Sequence, residues 1–172
     1  KLQAMSLIRD ANQFLNVVDA HKGIIYKVAN AYCRDGESRK DLIQEITLQL
    51  WLAFPKYDQQ FKLTTWMYRI ALNVSISFFR KQITRQKISH PLTEEILTMM
   101  TDEQSDVDSD FILLHKLIRQ LKEFDRALML LYLEGRSHSE IADILGITAS
   151  NVSTKVGRIK GRLREKFTSL KS

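Results

Sequence analysis

The sequence contains little of what disulfide-bonded, sheet-rich or membrane-spanning proteins need. It has one cysteine, two prolines and six glycines in 172 residues, so no internal disulfide bond can form. Few turn residues and few β-branched runs favour a nearly all-α chain. No apolar run approaches about 18 residues and no secretory signal is present, so we expect no membrane span. The lone Cys33 fits a reducing compartment, and we predict a cytoplasmic protein.

The sequence also has little that an enzyme or a metalloprotein requires. The four histidines are scattered, and none lies at metal-binding spacing from cysteine or acidic residues. There is no glycine-rich loop to hold a phosphate. We therefore predict no catalytic residue, no metal, no cofactor and no small-molecule substrate. A recombinase or nuclease remains the alternative from the enzyme class, with little in its favour.

Charge is distributed unevenly along the chain. Residues 1–90 carry 14 basic and 7 acidic side chains, residues 91–110 carry 7 acidic and no basic ones, and residues 111–172 carry 12 basic and 6 acidic ones. The net charge of +6 suits a polyanionic partner. We predict two small helical domains, residues 1–82 and 111–172, joined by a flexible acidic linker at 83–110. Because the chain starts at Lys1, we expect residues upstream of it.

The most informative stretch runs from residue 137 to residue 166 and predicts two helices joined by a tight turn. Ser137 and Glu140 have the spacing of a capping box, which begins a helix. Gly146 can end that helix in the left-handed conformation, and Thr148 can cap the next one. The second helix has one continuous apolar stripe, formed by Val152, Val156, Ile159 and Leu163.

This helix pair has the features of a DNA-binding helix-turn-helix. Ala142, Gly146 and Val152 show its Ala-x3-Gly-x5-Val spacing. The face away from the stripe carries short polar and basic side chains, namely Ser150, Asn151, Ser153, Thr154, Lys155 and Arg158. Hydroxyl and amide groups can reach base edges, while Lys and Arg bind phosphates or guanine. The alternative is an ordinary helical hairpin with a solvated face.

Residues 39–54 predict a helix with two apolar faces. The first comprises Leu42, Ile43, Ile46, Leu50 and Ala53, and the second comprises Leu48, Trp51 and Leu52. A helix needs only one such face for its own core. Either the helix lies between two neighbours, or the second face docks a partner with Leu48 and Trp51 as anchors. In the second case the polar residues Asp41, Gln44 and Glu45 form the rim.

A polar loop at 56–62 precedes a helix predicted at 63–82. Its expected inner stripe is Leu63, Trp66, Met67, Ile70, Val74 and Phe78. We place Thr65, Tyr68, Arg69, Asn73, Arg80 and Lys81 outside or on the flanks. Aromatic rings interleaved with cations near a loop can bind single-stranded DNA, because bases stack on rings while cations follow the phosphates. The alternative is that the aromatic residues belong to the core.

Taken together, the two modules resemble bacterial sigma factors of the extracytoplasmic-function group. The resemblance covers residues of about 10–82 and 111–167. In the first domain it is carried by Asp41 to Glu45, Leu50, Trp51, Phe61, Trp66 to Ala71 and Asn73. In the second it is carried by Leu130 to Gly135, Glu140 to Ala142, Leu145 to Ile147 and Val152. The ordered pair is a much stronger signal than a helix-turn-helix alone.

The resemblance implies a protein that binds RNA polymerase core, directs it to promoters and helps to melt the DNA. The implied polymerase-binding residues are Asp41, Gln44, Glu45, Leu48 and Trp51, which match the helix that docks on the clamp coiled coil. The implied minus-ten residues are Asp58, Phe61, Lys62, Thr65, Trp66, Tyr68, Arg69, Asn73, Arg80 and Lys81. There a non-template base flips into a pocket beside the loop. The implied minus-thirty-five residues are Ser150, Asn151, Ser153, Thr154, Lys155 and Arg158.

The resemblance also implies an anti-sigma partner, often membrane-bound, and a linker that threads toward the polymerase cleft. A plain solvated tether is the other interpretation of the linker. Family members often have Arg at the position of Leu72, Asp at that of Ser77 and Lys at that of Ser153, and these departures weaken the transfer of single DNA contacts. The alternative function is a stand-alone helix-turn-helix regulator that needs no polymerase.

Overall fold

The computed structural model describes residues 2–89 and 109–171, and this part of the chain is helical without any strand. The all-α prediction is therefore confirmed. The helices are α1 (Leu2–Tyr32), α2 (Gly36–Ala53), α3 (Leu63–Ser89), α4 (Ser109–Arg119), α5 (Glu123–Leu133), α6 (His138–Leu145) and α7 (Ala149–Lys171). One 3-10 turn, Phe54–Lys56, follows α2. Within these ranges no helix is both long enough and apolar enough to cross a membrane.

Helices α1, α2 and α3 pack against one another to form an N-terminal unit. Its centre consists of side chains with no exposed surface, such as Val28, Leu42, Ile46, Leu50 and Ala71. These residues recur at helical spacing, so each helix buries one stripe. Cys33 is also buried here, and burial raises the pKa of its thiol to about 11. The cysteine is therefore a core residue, as predicted.

Helices α4 to α7 form a C-terminal unit that contains the predicted helix-turn-helix. The capping box is present: the Ser137 hydroxyl accepts the N–H of Glu140 at 3.2 Å, and the Glu140 carboxylate accepts the N–H of Ser137 at 3.1 Å. Gly146 ends α6 with φ +68°, which glycine adopts without strain. Val152 is fully buried where α7 meets α6. The helix starts, the turn and the apolar stripe are thus confirmed.

Replacing Ser137 with alanine is expected to lower the free energy of unfolding by about 1 kcal/mol, because the N–H of Glu140 loses its acceptor. Chemical denaturation of the full chain, followed by circular dichroism, measures the change. Ser139→Ala serves as the control, since Ser139 is exposed within the first turn of the same helix. Equal stability of the two variants would show that the capping box contributes nothing.

The two units contact each other through α1 and α3 on one side and α5 and α6 on the other. Arg126 of α5 is 5% exposed, and its guanidinium donates to the carbonyl oxygens of Ala31 at 3.3 Å and Leu121 at 3.2 Å. It also lies 4.6 Å from the ring centre of Phe79 and 5.2 Å from that of Tyr32. Burial lowers the pKa of this group. Carbonyl oxygens and ring faces thus replace water around a buried cation.

The inner face of α3 differs from the predicted stripe. Met67 is buried as expected, but the other deeply buried positions include Tyr68, Ala71, Leu72 and Ser75. Trp66, Ile70, Val74 and Phe78 are only partly buried. The reason is that α3 packs against α1 and α2 on one side and against α5 and α6 on another. Its buried surface is therefore wider than a single stripe, and the placement of Thr65 and Tyr68 outside it was wrong.

Helix α3 also continues to Ser89, beyond the predicted end at residue 82. Residues 83–89 contain neither glycine nor proline, and the first helix breaker is Pro91. The predicted linker at 83–110 therefore begins with helix. Residues 90–108, which include most of its acidic side chains, lie outside the described residues.

Candidate nucleic-acid and partner interfaces

The outer face of α2 presents exposed apolar side chains. Leu48 is 49% exposed and Leu52 is 57% exposed, although Leu42, Ile46 and Leu50 on the opposite face are fully buried. Contiguous exposed apolar patches mark interaction surfaces, whereas single exposed apolar side chains are ordinary. Helix α2 does lie between two neighbours, α1 and α3, as the first interpretation expected. Leu48 and Leu52 nevertheless stay exposed, so docking of a partner on this part of the second face remains a prediction.

Trp51 lies at the boundary between this outer face and the core. Its ring packs edge-on against Phe14 of α1, with 5.1 Å between the ring centres, and it is partly buried. This contact fixes the indole while leaving part of it open to a partner. The predicted rim residues Asp41, Gln44 and Glu45 are all exposed. The five predicted polymerase-binding residues thus lie on one helix, and each is at least partly accessible.

The loop between α2 and α3 is organised by aromatic rings. The rings of Phe54 and Tyr57 both lie near Trp66, with centre-to-centre distances of 6.4 Å and 5.1 Å. The Tyr57 hydroxyl donates to the carbonyl oxygen of Phe61 at 2.9 Å, across the loop. Gln59 has φ +62°, which is uncommon for a residue with a side chain. The loop therefore has a defined shape, held by side chains rather than by a long run of backbone bonds.

Two of the predicted minus-ten residues meet at the end of this loop. The Arg69 guanidinium lies 4.9 Å above the ring centre of Phe61, and both side chains are partly exposed. Asp58 is exposed, and its carboxylate accepts the N–H of Gln60 at 3.1 Å. Farther along α3, Asn73 and Lys81 are exposed. This side of the N-terminal unit thus combines an aromatic ring, an amide and two cations at the surface.

Other members of the predicted minus-ten set are buried in this arrangement. Thr65 is 5% exposed and Tyr68 is 1% exposed. The hydroxyl of Tyr68 is hydrogen-bonded to the carboxylate of Glu134. Burial, together with that carboxylate, raises the pKa of Tyr68 far above its ordinary value. Neither side chain is accessible to DNA in this arrangement.

Carboxylates of the C-terminal unit bind three of the predicted minus-ten residues. The pairs are Arg80 with Glu123 at 2.6 Å, Lys62 with Glu140 at 3.9 Å, and Tyr68 with Glu134. The bond from Arg80 holds the pKa of Glu123 below its ordinary range. Glu134 also binds Lys27 at 3.1 Å. In this arrangement the two cations and the hydroxyl therefore already have acidic partners.

The outer face of α7 is open. Ser150, Asn151, Ser153, Thr154 and Arg158 are exposed, as predicted from the helical wheel. The first turn of α7 contains no acidic residue, so the positive end of the helix dipole is free to attract a phosphate. Thr148 caps this end, since its hydroxyl accepts the N–H of Asn151 at 3.2 Å.

Lys155 has a more restricted environment than the rest of this face. It is partly buried, and its ammonium lies 5.5 Å from the ring centre of Phe124 in α5. Farther along α7, the Arg162 guanidinium binds the carboxylate of Asp125 at 2.9 Å. Two side chains of α5, Phe124 and Asp125, therefore contact two basic side chains of α7. Arg158, in contrast to Lys155, is exposed.

The sequence analysis did not identify Tyr57, Phe54 or Arg126 as important. Phe54 contacts Trp66 and Arg126 contacts Ala31, both of which lie farther away along the chain, whereas Tyr57 binds the nearby Phe61. The one available signal was the clustering of Phe54, Tyr57 and Phe61 around a polar loop just before Trp66.

Comparison with known proteins identifies both units. Residues 17–84 match the family model of Sigma-70 region 2, and residues 111–163 match that of Sigma-70, region 4. The chain is 25% identical over 176 residues to the ECF RNA polymerase sigma factor SigW of Bacillus subtilis, which covers 94% of this chain and 92% of that protein. It is 26% identical over 126 residues to the sigma factor SigZ of the same organism, covering 73% and 70%.

Two solved structures share the fold. The sigma factor RpoE from Bartonella quintana, in complex with the anti-sigma factor NepR, superposes with a TM-score of 0.67 at 20% identity, covering 90% of this chain and 94% of that one. CnrH, in complex with the cytosolic domain of CnrY, gives a TM-score of 0.65 at 17% identity, covering 92% and 90%. Regions 2 and 4 occur here in their family order, on the two helical units described above. The chain therefore belongs to the sigma-70 family, in the extracytoplasmic-function group of sigma factors, which bind RNA polymerase and direct promoter-specific transcription initiation.

Proposed function

We propose that this sigma factor binds its targets through three separate surfaces. The outer face of α2 binds the clamp of RNA polymerase core, the loop at 57–62 with α3 reads and opens the minus-ten element, and the outer face of α7 reads the minus-thirty-five element as duplex. The observation that carries the proposal is that exposed leucines, a ring-lined loop and a polar basic helix face occur on separate elements of one chain.

The α2 surface has the composition of a binding hot spot. Leu48 and Leu52 expose apolar area, and Trp51 presents one edge of an indole whose other side is fixed by Phe14. Anchors of this kind, surrounded by polar residues, contribute most of the binding energy in protein interfaces. Asp41, Gln44 and Glu45 provide such a rim.

The loop at 57–62 and the exposed side of α3 suit a single strand better than a duplex. A ring such as Phe61 offers a stacking partner to an unpaired base, while Arg69, Arg80 and Lys81 follow the phosphates. Tyr68 becomes available only if the C-terminal unit moves away, because it is buried and contacts Glu134 and Arg136 of that unit. We propose that Lys62, Tyr68 and Arg80 exchange their carboxylate partners for DNA when the promoter is bound.

The α7 face suits the major groove. Ser150, Asn151, Ser153 and Thr154 carry short hydrogen-bonding groups near the helix start, and Lys155 and Arg158 follow them. In helix-turn-helix proteins the residues at the start of the second helix contact base edges, while cations position the helix on the backbone. This surface alone would serve a stand-alone regulator equally well.

Arg158→Ala is expected to weaken promoter binding by the holoenzyme and to lower the slope of log K against log salt by about one, because one phosphate contact is lost. Binding titrations on duplex promoter DNA at several salt concentrations measure both quantities. Arg164→Ala provides the matched control, since Arg164 is also exposed on α7 but lies six residues beyond Arg158, outside the predicted set. An unchanged slope and affinity would remove Arg158 from the binding surface.

We also propose an anti-sigma partner and a cytoplasmic location. RpoE of Bartonella quintana, which shares the fold, was solved in complex with the anti-sigma factor NepR, and CnrH was solved with the cytosolic domain of CnrY. A protein that works with RNA polymerase acts where the chromosome is, which in bacteria is the cytoplasm.

The proposal is tested most directly by reconstitution with core polymerase. The purified chain should co-elute with core and should direct transcription from promoter fragments selected by the resulting holoenzyme. The stand-alone regulator predicts the opposite pattern, with tight duplex binding by the free chain and no dependence on core. Failure to co-elute with core would contradict the proposed function.

A further inference from the structure

We propose that Tyr57 is a positioning residue for reading the minus-ten element. It holds the backbone of Phe61 and the ring of Trp66 in the geometry that an unpaired base meets. This inference rests on the proposed function of the loop at 57–62, and it adds a residue that acts through two of the predicted contact residues.

The contacts of Tyr57 link the two ends of the loop. Its backbone N–H donates to the carbonyl oxygen of Phe54 at 3.1 Å, which closes the 3-10 turn after α2. Its hydroxyl crosses the loop and donates to the carbonyl oxygen of Phe61 at 2.9 Å. The Tyr57 side chain thus spans the three residues between Tyr57 and Phe61 and ties the two ends of the loop together.

The ring of Tyr57 makes a second contact, with Trp66. It lies 5.1 Å from the ring of Trp66, with an angle of 42° between the planes, and Trp66 in turn neighbours Phe54. Tyr57 and Trp66 are both partly buried. One face of the indole is therefore supported from within the loop, which limits the orientations that Trp66 can take.

The residues between these two ends provide little support of their own. Asp58, Gln59 and Gln60 are exposed, and Gln59 has the left-handed conformation that residues with side chains adopt infrequently. At the far end, Arg69 lies over the ring of Phe61. Tyr57 thus holds the backbone carbonyl of Phe61, and Arg69 holds its ring. Loss of the first contact frees the backbone, and loss of the second frees the ring.

Preorganisation of this kind matters because a flipped base is recognised by rings and polar groups at fixed positions. A site whose supporting contacts are loose fails to discriminate even when all of its contact residues are present. The Tyr57 hydroxyl is committed to a carbonyl oxygen, so we assign its effect to the position of Phe61 and Trp66 rather than to a contact with the base.

The test uses the holoenzyme and a fluorescent single strand that carries the minus-ten element of a promoter selected by that holoenzyme. Each position of the element is changed in turn, and affinities are measured for the unchanged chain, Tyr57→Phe and Tyr57→Leu. Tyr57→Phe removes only the hydroxyl, and Tyr57→Leu removes the ring as well. Tyr26→Phe is the matched control, because Tyr26 is an exposed tyrosine on α1.

We expect Tyr57→Phe to reduce discrimination at one or two adjacent positions by about threefold to tenfold, the range for one lost hydrogen bond. Tyr57→Leu should reduce it further, and Tyr26→Phe should change nothing. Binding of duplex minus-thirty-five DNA should be the same for all variants. A purely structural role would instead lower the melting temperature of Tyr57→Phe and leave the base preferences intact, and that result would overturn the inference.

Phe61→Ala separates this inference from the proposed function. If Phe61→Ala leaves single-strand binding unchanged, the loop does not contact the element and the proposed minus-ten surface is wrong. If Phe61→Ala weakens binding while Tyr57→Phe retains every base preference, the surface is right and the positioning role of the hydroxyl is wrong.

Discussion

Leu48→Ala is expected to lower the affinity of the chain for core RNA polymerase by about 30- to 1,000-fold, which corresponds to the cost of about 2–4 kcal/mol for truncating a central interface anchor. The physical reason is that Leu48 is 49% exposed at the centre of the α2 outer face, between the polar rim and Trp51. An apolar side chain there gains its burial only when a partner covers it. A competition assay with labelled unmodified chain and core polymerase measures the affinity.

The fold of this variant should be unaffected, because Leu48 contributes little to the core and alanine is at least as good a helix former as leucine. Leu133→Ala is the matched control, since Leu133 is a leucine of similar exposure, 51%, on α5 of the other unit. Equal losses for the two variants would mean that the α2 face has no special role in docking. A lower melting temperature for Leu48→Ala would show that the leucine belongs to the core.

Phe61→Ala is expected to weaken binding of a single-stranded minus-ten oligonucleotide by the holoenzyme by about 5- to 150-fold, because a base stacked on an aromatic ring contributes about 1–3 kcal/mol. Promoter opening should fall with it. The free chain should keep its stability, since the ring is partly exposed and is covered on one side by the Arg69 guanidinium. Fluorescence anisotropy measures binding, and permanganate reactivity of unpaired thymines measures opening.

Phe61→Tyr keeps an aromatic ring at this position and should retain most of the affinity. Duplex binding at the minus-thirty-five element should be unchanged in both variants, because α7 lies in the other unit. If the tyrosine variant loses as much as the alanine variant, stacking is not what Phe61 contributes. If neither variant differs from the unchanged chain, the loop does not contact the element and the proposed minus-ten surface is wrong.

The sequence predicted the capping box, the turn and the apolar stripe of the helix-turn-helix correctly, because each of these signals is local. A capping box needs only Ser137 and Glu140, three residues apart, and the turn needs only a glycine that accepts a positive φ. The α7 stripe repeats at helical spacing and has one continuous surface to cover. Each signal involves neighbours along the chain, so no knowledge of the distant parts of the fold was required.

Helix α3 shows where such reasoning fails. Its periodicity indicated one inner stripe, but the helix has two sets of neighbours, and the second set comes from the C-terminal unit. Tyr68 therefore became a buried partner of Glu134, 66 residues away, although its place in the pattern indicated an exposed flank. Whether a tyrosine side chain is buried depends on which helix packs over it, and nothing near Tyr68 in the sequence specifies that helix.

The sequence by itself determined the fold class, the two helical modules, the helix-turn-helix and the composition of the three candidate surfaces, because these depend on spacing, capping and charge within short segments. Only the tertiary structure decided that Leu48 and Leu52 of α2 are uncovered, that Tyr57 supports the loop, and that carboxylates of the C-terminal unit hold three predicted DNA-binding residues. The physical reason is that exposure, ring contacts and ion pairs between distant residues depend on how complete helices pack, and packing is a property of the whole chain.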